Sequence, residues 1–212
     1  LGEDLREAQS LLQRHQEFGQ FLNALGHQAE DLQARGEKLA QSQPPAAHKV
    51  RELLQSIQAQ WTRVQERSEQ RRRRLLASLQ LQEWKQDVAG VMLWMEEKRL
   101  MVADEPSQEP GNILREFRRH KAAERELLAT QGHVEGLQQV GRELLRSRPH
   151  AQEDVQAMLR GLSSKWEGLN RRMAERGKQL QQARWQDQLL GLLQDIKRKM
   201  EQLEGALQSA EM

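Results

Sequence analysis

The sequence contains no cysteine and no tyrosine, and only 4% of its 212 residues are aromatic. Without cysteine the chain can form neither a disulfide framework nor a cysteine-ligated zinc site. The shortage of aromatic and β-branched residues argues against a β-sheet. No apolar run approaches the roughly 18 residues of a membrane-spanning helix, and the first residues have no apolar signal core. We therefore expect a soluble protein in a reducing, intracellular setting.

Charge is abundant but balanced along the chain. Lys and Arg number 33 against 31 for Asp and Glu, which leaves a formal net charge of +2. Charged residues make up 30% of the sequence, and this richness in Glu, Arg, Gln and Leu is typical of long helices. Because the two signs are interspersed, the composition does not indicate a nucleic-acid-binding protein.

Residues 46–89 contain neither glycine nor proline, and their inward positions recur at alternating steps of four and three. These positions are Val50, Leu54, Ile57, Trp61, Val64, Ser68, Arg71 and Leu75, and the pattern resumes at Leu81, Trp84, Val88, Val91 and Met95. Such spacing is typical of a coiled-coil seam. It predicts one helix from about Val50 to about Met101, about 75 Å long at the usual helical rise. Since that length exceeds one small core, each half of the helix is predicted to serve a different bundle.

The two halves of the sequence superpose without a gap when one is shifted by 105 positions, which places His15 on His120. Other identical pairs are Leu22 with Leu127, Leu32 with Leu137, Gly36 with Gly141, Leu39 with Leu144, Val50 with Val155, Leu54 with Leu159, Trp61 with Trp166, Arg71 with Arg176 and Leu75 with Leu180. An internal repeat of this length predicts tandem copies of one helical unit.

Breaks in the pattern divide the rest of the chain into helices. We predict helices over residues 3–40, 112–146 and 152–210, in addition to the long helix. Pro44 and Pro45 end the first helix, because proline removes a backbone donor and restricts the residue before it. Residues 104–111 contain two prolines and a glycine and are predicted to be a loop, and Arg148-Pro149 a turn.

These features together resemble the spectrin repeat family. Trp61 and Trp166 lie where that family has its helix C tryptophan, and Trp84 and Trp94 have the spacing of its helix A aromatic residues. Leu11-Leu12-Gln13-Arg14-His15 is similar to its helix B motif, and Leu1-Gly2-Glu3-Asp4-Leu5 to the start of helix B. The resemblance is strongest to a beta-type spectrin. It implies an all-α fold: tandem antiparallel three-helix bundles joined end to end by continuous C–A helices into an elongated rod.

The resemblance also implies domain boundaries. Residues 1–76 would be a repeat without its helix A, residues 77–182 a complete repeat, and residues 183–212 the helix A of a following repeat. Lys199 departs from the pattern, since it occupies the position equivalent to Trp94. The predicted structural core comprises Trp61, Trp84, Trp94, Trp166, Leu54, Leu159, His15 and His120.

No residue pattern predicts catalysis, a cofactor or a metal site. The six histidines show no ligand spacing, and we interpret His15 and His120 as hydrogen-bonded boundary residues in preference to ligands or pH switches. Arg71-Arg72-Arg73-Arg74 is the sharpest charge feature. Four successive helical residues point around most of the helix, so a solvated segment is favoured over a flat nucleic-acid or lipid patch.

The function implied by the resemblance is structural and non-enzymatic. The chain would be a flexible, extensible spacer in an actin cross-linking membrane skeleton, located in the cytoplasm. Its partners would be other spectrin chains, alpha-type chains by lateral pairing, with no nucleic acid and at most weak peripheral membrane contact. Two alternatives remain open: a docking module for an adaptor such as ankyrin, and a helical bundle that binds lipid surfaces. Self-association through unpaired helices is a further possibility.

Overall fold

The computed structural model describes residues 2–103, 112–147 and 152–210. In these ranges the chain forms four α-helices and no strand: α1 (Leu5–Ser42), α2 (Pro44–Ala103), α3 (Asn112–Ser147) and α4 (Gln152–Ala210). The predicted all-α fold class is therefore confirmed.

Helix α1 begins with a side-chain cap. The Asp4 carboxylate accepts a hydrogen bond from the backbone N–H of Glu7 at 2.7 Å, and the Glu7 carboxylate accepts one from the N–H of Glu3 at 2.6 Å. Two amides that lack helical partners are satisfied in this way. At the other end, the N–H of Gln43 donates to the carbonyl of Leu39 at 2.9 Å, and α2 begins directly afterwards.

Helix α2 is continuous over its 60 residues, which confirms the predicted unbroken passage through residues 71–81. It begins at Pro44, six positions before the predicted start at Val50. Proline is tolerated in the first turn of a helix, where its missing N–H would have no helical acceptor. The two prolines therefore mark the boundary between α1 and α2, and both lie in the first turn of α2. The predicted loop at 104–111 and the turn at Arg148-Pro149 lie outside the described residues.

The chain divides into two compact units, Leu1–Gln86 and Asp87–Met212, hereafter unit 1 and unit 2. In unit 1 the buried residues of the helices come from α1 and from the part of α2 that ends at Gln86. They are Ala8, His15, Leu22, Gly26, Ala40, Ala47, Leu75, Ser78 and Trp84. Gly2, which precedes α1, is also buried.

Unit 2 is built from three helices, the end of α2 together with α3 and α4. Each contributes a buried stripe with helical spacing. The stripes are Val88, Val91 and Met95 on α2, Ala123, Leu127, Val134, Leu137 and Leu144 on α3, and Val155, Leu162, Leu169, Met173 and Leu180 on α4. Apolar stripes of this kind place the burial on one face of each helix, which is how a helical bundle forms its core.

Candidate functional site

Two glycines of α1 allow α2 to pack closely in unit 1. A Cβ added to Gly26 would lie 2.8 Å from the Trp61 indole, and one added to Gly36 would lie 3.0 Å from the Leu54 methyl groups. Larger residues at either position would have to displace these side chains. Trp61 and Leu54, both half-buried, therefore fit against the backbone of α1 because these positions are glycines.

Contacts in unit 2 join all three helices pairwise. Lys98 on α2 forms an ion pair with Glu126 on α3. A Cβ at Gly161 on α4 would meet the Met92 methyl group of α2 at 3.3 Å, which shows how closely these helices approach. The Gln138 amide on α3 donates to the Ser163 hydroxyl on α4 at 2.9 Å. The buried stripes and these cross-links together define a three-helix bundle.

A polar cluster lies between α3 and α4 in unit 2. The buried His120 ring nitrogen Nε2 lies 3.1 Å from Glu124 Oε1, and Lys121 Nζ donates to the other oxygen of Glu124 at 2.7 Å. Arg176 on α4 donates to the Glu116 carboxylate at 3.4 Å. A cavity of about 130 Å³ adjoins the cluster and is lined by Met101, Val102, Glu116, Arg119, His120, Ala123, Arg176 and Leu180.

Burial and nearby charges shift two pKa values in this cluster. Burial is the largest influence on His120 and lowers its pKa; Glu124 opposes this, whereas Lys121 and Arg176 add to it. Burial raises the pKa of the Glu124 carboxyl, but the hydrogen bond and charge of Lys121, together with His120, outweigh burial and leave that pKa lowered. The arrangement therefore favours a neutral imidazole beside an ionised carboxylate.

The cluster requires a glycine on α4. A Cβ at Gly177 would lie 2.9 Å from His120 Nε2 and 3.2 Å from Glu124 Oε1. Sequence reasoning predicted neither this close approach nor the two carboxylates. The available signal was Glu124, which stands one helical turn after His120, but such pairs are common on exposed helix faces.

The predicted core residues fall into two groups by exposure. His15, Trp84 and His120 are buried. The half-buried members are Leu54, Trp61, Trp94, Leu159 and Trp166. The fifth tryptophan, Trp185, is 64% exposed.

The arginine run 71–74 is partly neutralised by one carboxylate. Glu69 accepts hydrogen bonds from Arg72 at 2.8 Å and from Arg73 at 3.1 Å. The hydrogen bond from Arg72, followed by that from Arg73, lowers the pKa of Glu69 to about 2. These pairs lie on the solvated surface, where ion pairs contribute little to stability.

Helix α4 presents an apolar face to solvent beyond residue 185. The exposed members of this face are Leu189, Leu190, Leu192, Leu193, Ile196, Met200, Leu203 and Leu207. Contiguous exposed apolar patches of large area mark interaction surfaces in soluble proteins.

The described part of the chain offers no cluster of His, Asp or Glu suited to holding a metal ion. None of its helices has a segment long and apolar enough to cross a bilayer.

Comparison with known proteins decides the family. Residues 1–77 and 79–182 each match the family model of the spectrin repeat. The chain belongs to the spectrin repeat family.

Similar proteins within the spectrin repeat family include beta and alpha chains. The chain is 70% identical over 211 residues to human "Spectrin beta chain, non-erythrocytic 5", covering 100% of this chain and 6% of that protein. It is 27% identical to mouse "Spectrin beta chain, erythrocytic" over 84% of the chain. It is 24% identical to mouse "Spectrin alpha chain, erythrocytic 1" over 96% of the chain. Each of these two alignments covers 8% of the relative. The chain thus spans less than a tenth of the length of these curated relatives. The 70% identity to a beta chain confirms the predicted resemblance to a beta-type spectrin.

Proposed function

We propose that this chain is a non-enzymatic spacer segment of a spectrin membrane skeleton, in which consecutive repeats transmit tension through shared helices. The observation that carries the proposal is that α2 is one continuous helix with residues in both units. This single helix places Trp61 against Gly26 in unit 1 and Met92 against Gly161 in unit 2. A load applied to one unit would therefore reach the other through hydrogen-bonded helix instead of a loop.

The repeat boundaries proposed from the sequence accompany this function. Residues 1–76 would contribute helices B and C, residues 77–182 a complete repeat, and residues 183–212 the next helix A. The three-way packing of α2, α3 and α4 supports the middle assignment. Spectrin chains would be the main partners, in a cytoplasmic scaffold that cross-links actin.

Small-angle scattering and single-molecule pulling together test the spacer function. We expect the scattering of the 212-residue chain to show an elongated particle, since antiparallel bundles joined by a shared helix extend along one axis. Pulling from both termini should give reversible unfolding steps at low force, because helical bundles contain no sheet whose hydrogen bonds must break together. A compact particle, or one high-force rupture, would contradict the proposal.

Self-association is a second proposed activity, and the internal repeat favours it. The buried α2 positions Val88, Val91 and Met95 correspond, 105 residues later, to Leu193, Ile196 and Met200 on the exposed face of α4. We infer that this part of α4 packs as a third helix on unit 1 of a second copy, as α2 does on α3 and α4 within unit 2.

One substituted pair supports the proposed docking. In unit 2, Lys98 of α2 pairs with Glu126 of α3. Their counterparts 105 positions away are Leu203, 64% exposed, and Phe21, 67% exposed. Both members of an ion pair are thus replaced by apolar residues, as expected if the two positions meet across an interface between copies.

A further inference from the structure

Unit 1 contains a cavity that is rich in arginine and lacks carboxylates. It has a volume of about 340 Å³ and is lined by Arg14, His15, Phe18, Val64, Arg67, Ser68 and Arg71. Three guanidinium groups and a serine hydroxyl supply donors, while Phe18 and Val64 form an apolar wall. The volume lies at the lower end of the range for small-molecule sites, which begins at about 300 Å³.

The repeat provides an internal reference for this cavity. Arg14, His15 and Arg71 correspond to Arg119, His120 and Arg176, which line the polar cavity of unit 2. In unit 2 two of these three residues have carboxylate partners, since Glu116 accepts from Arg176 and Glu124 contacts His120.

The equivalent carboxylates are missing in unit 1. Leu11 stands at the position of Glu116, and Gly19 at the position of Glu124. Across the described ranges, Arg14, Arg67 and Arg71 form no ion pair, whereas the neighbouring Arg72 and Arg73 are held by Glu69. The unit 1 cavity thus has the same two arginines and histidine as its counterpart but neither of the two carboxylates.

We propose that this cavity is an anion site that binds a phosphate group carried by a small organic molecule or a lipid headgroup. Arginine forks match the geometry of phosphate oxygens and form charge-assisted hydrogen bonds with them. Arg14, Arg67 and Arg71 are exposed, and three cations that line one cavity attract a phosphate more strongly than a single arginine does. The apolar wall of Phe18 and Val64 accommodates the organic part.

The proposed helix docking leaves the cavity basic. In unit 2, α2 contributes Met101 and Val102 to the equivalent cavity. Their counterparts on α4 are Ala206 and Leu207, neither of which carries charge. A docked α4 would therefore not neutralise the arginines, but it would narrow the cavity, as α2 does in unit 2, where the equivalent cavity has about 130 Å³. The anion site is accordingly proposed for the chain that is not self-associated.

Isothermal titration of the full chain with inositol 1,4,5-trisphosphate, at a constant ionic strength of about 0.15 M, tests the site. Fixed ionic strength matters because salt screens exposed charges over about 8 Å. We expect saturable binding of one ligand per chain. Arg71→Gln should weaken it about tenfold, the effect of losing one charge-assisted contact. The matched variant Arg176→Gln, in the neutralised cavity, should leave the affinity unchanged. Equal loss in both variants would show diffuse attraction to a basic surface and overturn the proposal.

A second pair of variants restores the missing counter-charge. Leu11→Glu places a carboxylate where unit 2 has Glu116, and it should abolish binding. Leu11→Gln, of nearly the same size and uncharged, should retain binding. Circular dichroism of both variants separates loss of fold from loss of the site. If the folded Leu11→Glu variant binds as tightly as the wild type, the cavity is not the site.

Competition distinguishes the two sources of phosphate. Vesicles containing phosphatidylinositol 4,5-bisphosphate should co-sediment with the chain, and soluble inositol trisphosphate should release it, if a lipid headgroup fits the cavity. Binding of the soluble ligand without vesicle binding identifies a free organic phosphate as the ligand. Vesicle binding that neither Arg71→Gln nor the soluble ligand affects would overturn the proposal.

Discussion

At the residue scale, the glycines of α4 differ in what an added methyl group would meet. A Cβ at Gly168 has no atom within 4 Å, whereas one at Gly177 would press on His120 and Glu124. Replacing an interior helical glycine with alanine stabilises a helix by up to about 1 kcal/mol where space is available. Overpacking costs about 1–3 kcal/mol where it is not.

We therefore predict opposite effects for two alanine substitutions. Gly168→Ala should raise the free energy of unfolding of unit 2 by about 0.5–1 kcal/mol. Gly177→Ala should lower it by about 1 kcal/mol, because the crowding of the buried imidazole exceeds the gain in helix propensity. Urea denaturation followed by circular dichroism measures both. Equal stabilisation by the two variants would show that His120 moves aside at no cost.

The tryptophans provide a second contrast on α4. Trp166 is half-buried, and Trp185 is 64% exposed. We expect Trp166→Ala to destabilise unit 2 by about 3 kcal/mol, the lower end of the cost of truncating a packed tryptophan. Trp185→Ala should change stability by less than about 0.5 kcal/mol, as surface substitutions usually do. A loss below 1 kcal/mol for Trp166→Ala in denaturant melts would contradict its role in packing.

His120 makes the stability of unit 2 dependent on pH. Since burial lowers its pKa in the folded state, the unfolded chain binds a proton more readily below the ordinary histidine pKa of about 6.5. The free energy of unfolding should therefore fall as the pH drops from 7 towards the lowered folded pKa. Glu124, whose folded pKa is also lowered, adds a loss of stability at more acidic pH.

Removing the imidazole should flatten this dependence. We expect the His120→Gln variant to lose less stability than the wild type between pH 7 and pH 5, as measured by urea denaturation at each pH. His133→Gln serves as the control, because His133 is exposed on the same helix. If His120→Gln and the wild type show the same slope, the acid sensitivity arises elsewhere.

At the scale of elements, α2 contributes residues to both units and is one continuous helix across the boundary at Gln86. Gln80 is exposed and lies in unit 1, between the buried residues Ser78 and Trp84 and six positions before the last residue of that unit, Gln86. A proline there removes one helical hydrogen bond and clashes with the preceding turn, which costs about 3 kcal/mol or more.

We predict that Gln80→Pro separates the unfolding of unit 1 from that of unit 2. Its thermal melt, followed by circular dichroism, should show two transitions. The wild type should show one. Gln80→Ala should melt like the wild type, because alanine preserves the helix. A single cooperative transition in Gln80→Pro would mean that α2 does not carry the coupling.

The sequence predicted the helices well because their signals are local and repeated. The four-three spacing from Val50 to Leu75 and the absence of glycine and proline indicated α2 as one helix, which the structure confirms. The hydrogen bond between Arg176 and Glu116 could not be predicted, because it depends on how α4 faces α3. The close approach that Gly177 allows to His120 and Glu124 could not be predicted either, because it also depends on how α4 packs on α3.

At the scale of the whole molecule, the proposed self-association brings the apolar face of α4 against exposed apolar residues of unit 1, namely Phe18, Phe21 and Leu25. A face such as Leu193, Ile196 and Met200 on α4 loses contact with water when it packs on a hairpin, at roughly 25 cal/mol per Å². Association also costs several kcal/mol in lost freedom of motion, so the gain must come from well-matched residues. In the proposed contact that match comes from the internal repeat, because Leu193, Ile196 and Met200 take the places that Val88, Val91 and Met95 have in unit 2.

We predict that the chain forms reversible oligomers whose fraction rises with concentration in sedimentation velocity experiments. Leu193→Glu should shift the chain to monomer, because it places a charge in the centre of the proposed contact. Leu93→Glu tests specificity: Leu93 is 69% exposed on α2 and is not part of the proposed contact, so this variant should associate like the wild type. Phe21→Glu alters the opposite face in unit 1 and should weaken association as Leu193→Glu does. If only Leu193→Glu has an effect, α4 pairs with itself instead of with unit 1, and the docking derived from the Lys98–Glu126 pair is wrong.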